Sequence, residues 1–418
     1  MSDKPVGIEK LDVYTTSLSL SMETLAKARG ADPAHPLEEL LMEARAVNPT
    51  WEDPVTMAVN AANKLLEGED RDAIEMCVVG SESSVDFGKP MATWVQRFAE
   101  LGPRVRTFET KHACYGGTAG LMSALHWVKS GVRPGKKALV VCTDQSRMHL
   151  GKPWEYVLGA GAVAMLISDQ PDVLEIDLHR NGYWTNEISD TYRPTSRDEV
   201  GHADTSLYGY LDALEGAYEA YLEQIGVESA ADLDYDAHFK KNVYHVPFAK
   251  MTSLAHTTLL RKWKRMKKSV ALAHWEHKTR PSLRYNSQMG GTYTGATFWA
   301  LAGLIDHCED LAAGDRISVF SYGSGSCAEY YEARIGAKAR EKLAAAGIQA
   351  QLDARRPLTV PQYETIEQAR WEFVDRRDFK VDQAMVGTLD GLYAEAYEGT
   401  GKLVLDGVDG WERQYRRA

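Results

Sequence analysis

Three residues of this chain have the types and settings that covalent chemistry needs. Cys114 lies in Lys111-His112-Ala113-Cys114-Tyr115-Gly116-Gly117-Thr118-Ala119-Gly120, Glu82 in Gly80-Ser81-Glu82-Ser83, and His245 just before Val246-Pro247-Phe248. A thiol delivered to the start of an apolar helix meets free backbone N–H groups and the positive end of the helix dipole. These favour thiolate and can hold a developing oxyanion, so the setting suits acyl transfer. Each residue alone also has an ordinary structural reading: a small buried hydrophobe, a solvated turn carboxylate, a packed ring. A glycine loop, Ser321-Tyr322-Gly323-Ser324-Gly325-Ser326, lacks the Gly-Lys-Ser/Thr ending of a phosphate-binding loop and the spacing of a dinucleotide fingerprint. Its glycines suit close backbone approach to a thioester carbonyl, with amides at Ser324 and Gly325 completing an oxyanion hole beside that of Cys114.

The elements that must position these groups alternate between strand and helix, which predicts an α/β layered protein with a largely parallel sheet. Val105–Thr110 alternates as a strand, and Leu121, Leu125 and Val128 share a helical face, so Cys114 falls at a strand-to-helix junction. Val55, Val59, Ala62 and Leu66 repeat at helical spacing before a buried strand at Ile74–Val79. Further strands are read at Lys137–Cys142, Ala162–Ile167, Lys241–His245 and Arg316–Phe320. The carboxyl ends of such strands converge on one crevice, which joins Glu82, Cys114 and His245 into a candidate constellation. A second series of elements begins near residue 174, with no low-complexity linker before it. Two halves of similar grammar, 1–173 and 174–418, are therefore expected to share one compact body.

The chain has 418 residues, 44% hydrophobic and 26% charged, with a net charge of −11. That acidic balance argues against a nucleic-acid partner. One basic stripe, Arg261-Lys262-Trp263-Lys264-Arg265-Met266-Lys267-Lys268, reads either as a solvated helix face or as a landing site for a nucleotide phosphate, a phosphopantetheine or an acidic carrier protein. Five cysteines, at 77, 114, 142, 308 and 327, form no CxxC pair, so neither a disulfide framework nor a metal site is expected. Met1-Ser2-Asp3-Lys4-Pro5 carries no basic-then-apolar signal, and no apolar run reaches the roughly 18 residues of a membrane span, so a cytoplasmic location is expected.

Taken together, Ser81-Glu82-Ser83, Ala113–Ala119, Gly159–Met165, His245–Phe248 and Ser321–Ser326 resemble the 3-hydroxy-3-methylglutaryl-CoA synthases, from Gly7-Ile8-Glu9 to Trp411-Glu412-Arg413. The resemblance implies a thiolase-like fold, two similar α/β halves in a five-layer αβαβα body, and a homodimer. It also implies roles. Cys114 is acetylated by an acetyl thioester, Glu82 takes a proton from the acetyl methyl group, His245 binds and polarises the acceptor ketone, and hydrolysis frees the cysteine. The substrates are phosphopantetheine thioesters, and no metal or redox cofactor is required.

Within the family, Glu52–Thr56, Val85–Lys89 and Ala203–Leu207 with Tyr210-Leu211-Asp212 look like the synthases of polyketide assembly lines. Those enzymes take acetyl from a donor acyl carrier protein and add it to the β-ketone of a chain on an acceptor acyl carrier protein. Gly291-Thr292-Tyr293-Thr294-Gly295-Ala296 stands where mevalonate-pathway enzymes carry Asn-x-Tyr-Thr-Gly-Ser; the smaller Gly291 is expected to leave space in the thioester-binding region for a bulkier acceptor. Tyr156-Val157-Leu158 likewise replaces a Pro-Thr segment. Asp190 is expected to order the site, and Lys250, Arg261, Lys264 and Arg265 to meet phosphate or carrier-protein acids. The alternatives are a mevalonate-pathway synthase using acetyl-CoA and acetoacetyl-CoA, and a non-catalytic partner of carrier proteins, which would be expected to have lost one of the three central residues. A ketosynthase would place an asparagine or second histidine where this chain offers Glu82.

Overall fold

The computed structural model describes residues 4–418; the first three residues of the amino-terminal segment discussed above lie outside the described residues. Nine strands form the main sheet: β1 (Gly7–Tyr14), β2 (Ile74–Gly80), β3 (Arg106–Thr110), β4 (Lys137–Gln145), β5 (Ala160–Ser168), β6 (Leu174–Thr185), β7 (Lys241–Tyr244), β8 (Arg316–Gly323) and β9 (Cys327–Ile335). Their order is β7-β8-β9-β6-β1-β5-β4-β2-β3. The two halves of this sheet meet only where Gly7 and Ile8 of β1 pair with Glu175 and Leu174 of β6.

Five helices sandwich the strands: α1 (Pro54–Leu65), α2 (Gly116–Ser130), α3 (Ala203–Gln224), α4 (Met251–Lys264) and α5 (Ala296–His307). α1 packs on β1, β4 and β5, whereas α2 packs on β2, β4 and β5; α3 covers β6, β8 and β9, and α5 lies against β7 and β8. The result is helix, sheet, helix, sheet, helix. Thr118 of α2 donates to the Ser321 hydroxyl of β8 at 2.7 Å, tying the halves together across the middle layer. The core follows the layers, with one apolar cluster under α1, one under α3 and α4, and the largest between the two half-sheets around α5. Ten successive residues of α5, Ala296–Ile305, are buried, as a helix with sheet on both sides must be. α1 begins with a reciprocal capping box between Asp53 and Thr56, and α2 stops at Gly131, whose φ of +67° is the left-handed ending that glycine adopts without strain.

The sheet is mixed, not largely parallel. Only β2–β3, β2–β4 and β7–β8 run parallel; the other main-sheet pairings are antiparallel. The reason lies in the connections. β8 turns directly into its partner β9 without the crossover that a parallel partner requires, and β1 runs against both of its neighbours, β5 and β6. The carboxyl-terminal hairpin, Leu403–Asp409 with Glu412–Arg417, returns to α1. Asn60 exchanges two hydrogen bonds with the Leu403 backbone, and Asp53 accepts from Arg413 and Tyr415.

Candidate active site

Cys114 sits between β3 and α2, two residues before the helix begins. Ala113 ahead of it holds φ at +42°, a left-handed conformation that costs a non-glycine residue energy and turns the chain sharply enough to aim the thiol inward. From the end of β2, Glu82 meets it: the Cys114 thiol donates to Glu82 Oε2 at 3.5 Å. His245 follows β7 and is only 1% exposed. Its ring lies 6.3 Å from that of Tyr210 and 6.5 Å from that of Tyr322, with Thr297 Oγ1 3.5 Å from Nδ1.

The glycine loop closes over the nucleophile's corner. A Cβ on Gly323 would stand 2.4 Å from the His112 carbonyl oxygen and 2.5 Å from the Tyr115 nitrogen, so only glycine lets β8 approach so closely. Asp190 orders this loop as expected for its position, accepting from the Tyr322 hydroxyl at 2.7 Å and from the Gly325 amide at 2.9 Å. That second bond corrects the role expected of Gly325, whose N–H is already spent. The amides of Cys114 and Ser324 meet no acceptor among the described residues, so both are free to hold a developing oxyanion.

Gly291 is also corrected. Its amide donates to Val157 O at 2.6 Å and its carbonyl accepts from Gly159. A Cβ there would lie 2.6 Å from Pro247 O, so the missing side chain admits the backbone after His245 and opens no space for an acceptor. Of the basic residues, Lys264 donates to the Ala231 and Leu233 carbonyls, and Lys250 lies 5.5 Å from the Trp275 ring centroid. Arg261 and Arg265 are exposed at the carboxyl end of α4, where cations complement the helix dipole. The stripe is thus partly structural.

Five residues to which sequence reasoning gave no role complete the base's surroundings. Buried Asp144, at the end of β4, accepts from Ser81 Oγ, from the Glu82 amide at 2.9 Å and from the Thr294 amide and hydroxyl. Arg193 donates to the Glu82 carbonyl at 2.8 Å and lies 3.4 Å from Glu82 Oε1 and 3.3 Å from Glu199. His149 in turn sits 3.1 Å from Glu199, and the Tyr293 hydroxyl bonds the same carboxylate. Arg193 stands three residues after Asp190 in Asp-Thr-Tyr-Arg-Pro, and that proximity was the available signal.

Burial, with the neighbouring Asp144 and Glu199 charges outweighing part of the Arg193 attraction, pushes the Glu82 carboxyl up to about 8. Burial and the Glu82 charge also hold the Cys114 thiol well above its ordinary value, contrary to the thiolate expected from the helix dipole. Near neutral pH the thiol therefore keeps its proton and points it at the Glu82 carboxyl. Burial alone pushes His245 down to about 3, so the ring is neutral near pH 7 and can offer an N–H to a bound oxygen. A carboxyl beside a thiol, free amides at the same corner and a buried neutral imidazole are the groups that carbon–carbon bond formation at an acetyl methyl group calls for.

The family model described as hydroxymethylglutaryl-coenzyme A synthase N terminal matches residues 2–172, and that described as hydroxymethylglutaryl-coenzyme A synthase C terminal matches residues 253–398. The chain belongs to the hydroxymethylglutaryl-CoA synthase family. It is 35% identical, over 98% of each chain, to the polyketide biosynthesis 3-hydroxy-3-methylglutaryl-ACP synthase PksG of Bacillus subtilis. It is also 33% identical to the hydroxymethylglutaryl-CoA synthase of Enterococcus faecalis, over 91% of this chain and 94% of that one. Among solved structures it superposes on the HMG synthase of the curacin biosynthetic pathway in complex with holo donor-ACP with a TM-score of 0.93, at 36% identity, covering 99% of this chain and 100% of that one. The fold is therefore thiolase-like, and the chain is a condensing, acyl-transferring enzyme of the HMG synthase type.

Proposed function

We propose that this HMG synthase performs β-branching on a polyketide: it transfers acetyl from an acyl carrier protein to the β-ketone of an acyl chain on a second carrier protein. The contact between the Cys114 thiol and Glu82 carries the reading, because it sets the carbon base beside the sulfur that would hold the acetyl group. The names and partners of the polyketide-pathway relatives support the carrier-protein branch.

In the first half-reaction Cys114 attacks the acetyl thioester, the carrier's sulfur leaves with the thiol proton, and acetyl-Cys114 forms. Glu82 then removes a methyl proton while the Cys114 and Ser324 amides hold the enolate oxygen. The enolate carbon adds to the acceptor's β-ketone, whose oxygen is hydrogen-bonded by His245 and gains a proton to become a tertiary alcohol. Water cleaves the remaining thioester to Cys114, giving a carboxylate and restoring the thiol. The products are a 3-hydroxy-3-carboxymethyl chain on its carrier and a free carrier thiol. In this reading the residues before and after about 173 form two similar halves, the enzyme works in the cytoplasm as a homodimer, and its thioester substrates supply the only phosphopantetheine it needs.

The test is to incubate the protein separately with acetyl-CoA and with an acetylated acyl carrier protein and to locate the added acetyl mass by peptide mass spectrometry. Efficient loading of Cys114 only from the carrier protein is expected. Equal loading from acetyl-CoA would favour a mevalonate-pathway synthase like the Enterococcus relative, and no loading from either would overturn the enzymatic assignment of Cys114.

A further inference from the structure

Ser83, Gln145 and Arg147 line a cavity of about 160 Å³ shared with the segment around Phe373–Phe379 and the carboxyl-terminal hairpin. Its other arginines are compensated or exposed: Arg413 pairs with Asp53 at 2.9 Å, Arg370 with Glu367 at 2.6 Å, and Arg376 stands in solvent. Arg147 differs. Its Nε is out of contact with solvent and has no acceptor, and its guanidinium has no ion-pair or hydrogen-bond partner among the described residues. A half-buried cation that no acceptor touches is costly; Glu199 attracts it only from beyond hydrogen-bond reach, and burial together with Arg193 and Arg370 lowers its pKa to about 10.

A ligand that supplies the missing anion would remove that cost. The site's chemistry narrows its class. A lone planar guanidinium offers a forked pair of donors suited to a carboxylate. Glu52 and Asp375 also line the cavity and would repel a dianion, whereas the stacked Phe373 and Phe379 rings, 4.1 Å apart, and the indole of Trp411 present apolar walls. We propose that this cleft is a binding site for an aliphatic monocarboxylate, with its carboxylate on Arg147 and its chain along Phe373, Phe379 and Trp411. The lining includes none of Cys114, Glu82 and His245, and the site stands whether or not the carrier-protein reading does.

Calorimetric titration of the full-length protein with hexanoate tests it. Saturable binding is expected, at least about tenfold weaker in Arg147→Met and intermediate in Arg147→Lys, which keeps the charge and loses the fork. Hexanol, which lacks the anion, should not bind. Trp411 is largely exposed, so Trp411→Ala tests the apolar wall in a variant whose folding is not at stake, and a several-fold loss is expected there. No saturable hexanoate binding to the wild type, or unchanged affinity in an Arg147→Met protein with a wild-type circular dichroism spectrum, would overturn the proposal. Inorganic phosphate binding more tightly than hexanoate would overturn the carboxylate assignment.

Discussion

The two sides of the catalytic crevice are buried alike and built in opposite ways. Around Glu82 and Cys114 the interior is dense with charge: Asp144, Arg193 and Glu199 lie within one hydrogen-bonded cluster. The side chains that meet the His245 ring are uncharged ones, Tyr210, Tyr322 and Thr297. Burial raises the carboxyl to about 8 and lowers the imidazole to about 3, in each case by penalising the charged form. The difference lies in what offsets that penalty. Arg193 keeps Glu82 within range of ionisation near neutral pH, so it can take a proton and return it. Among the described residues no ion-pair partner faces His245, and burial keeps its ring neutral near pH 7.

The sharpest test of this contrast is to remove the covalent partner. Cys114→Ser is expected to abolish acetyl loading, a loss on the order of a thousandfold or more, read by intact-protein mass. Loading at the wild-type level would put the nucleophile elsewhere. Next in size, Glu82→Gln should load acetyl normally yet lose about 10²–10⁴-fold in condensation, measured as the carbon–carbon product by chromatography of the released acyl chain.

The pH profile then separates the two sides. Condensation from preformed acetyl-enzyme should rise with pH through about 8, as Glu82 ionises, and show no step near 6.5, because His245 does not titrate there. A step near 6.5 that vanishes in His245→Asn would break the contrast.

A smaller effect concerns stability. Glu82's folded pKa lies above its ordinary value of 4.5, so the fold binds a proton that the unfolded chain has released. Its contribution to stability is therefore present below about 4.5 and lost as pH rises through about 8. Glu82→Gln should melt higher than wild type, by a margin that widens between pH 5 and pH 8 and amounts to a few kcal/mol at most. Equal melting curves across that range would contradict it. The smallest effect is expected at the surface stripe, where Lys264→Ala should cost about 1 kcal/mol or less in chemical denaturation, by releasing the Ala231 and Leu233 carbonyls.

Local sequence carried the three central residues because each ends a strand, and strand ends converge in α/β sheets. The alternation of elements was equally legible, and strands β2, β4, β5 and β8 fall where apolar runs placed them. What was not legible depends on approach between distant segments. Asp144 acquires meaning only when Thr294 and Glu82 close on it, and Arg193 only when its segment folds back over Ser83. Gly291 misled for the same reason: a missing side chain reads as space until the backbone at Pro247 is seen to fill it. The direction of the inner pairings was misjudged because alternation of strand and helix says nothing of links such as β8–β9 that skip the helix.

The return of the carboxyl-terminal hairpin to α1 has a bearing on biosynthesis. Leu403, wholly enclosed, belongs to the apolar cluster beneath α1, and Tyr415 packs against Trp94 and Phe98. On the ribosome, the half that emerges first therefore waits for its outer layer until the entire second half has been translated. A nascent chain stalled before residue 403 would carry an uncovered apolar seam along α1, the kind of surface that chaperones hold.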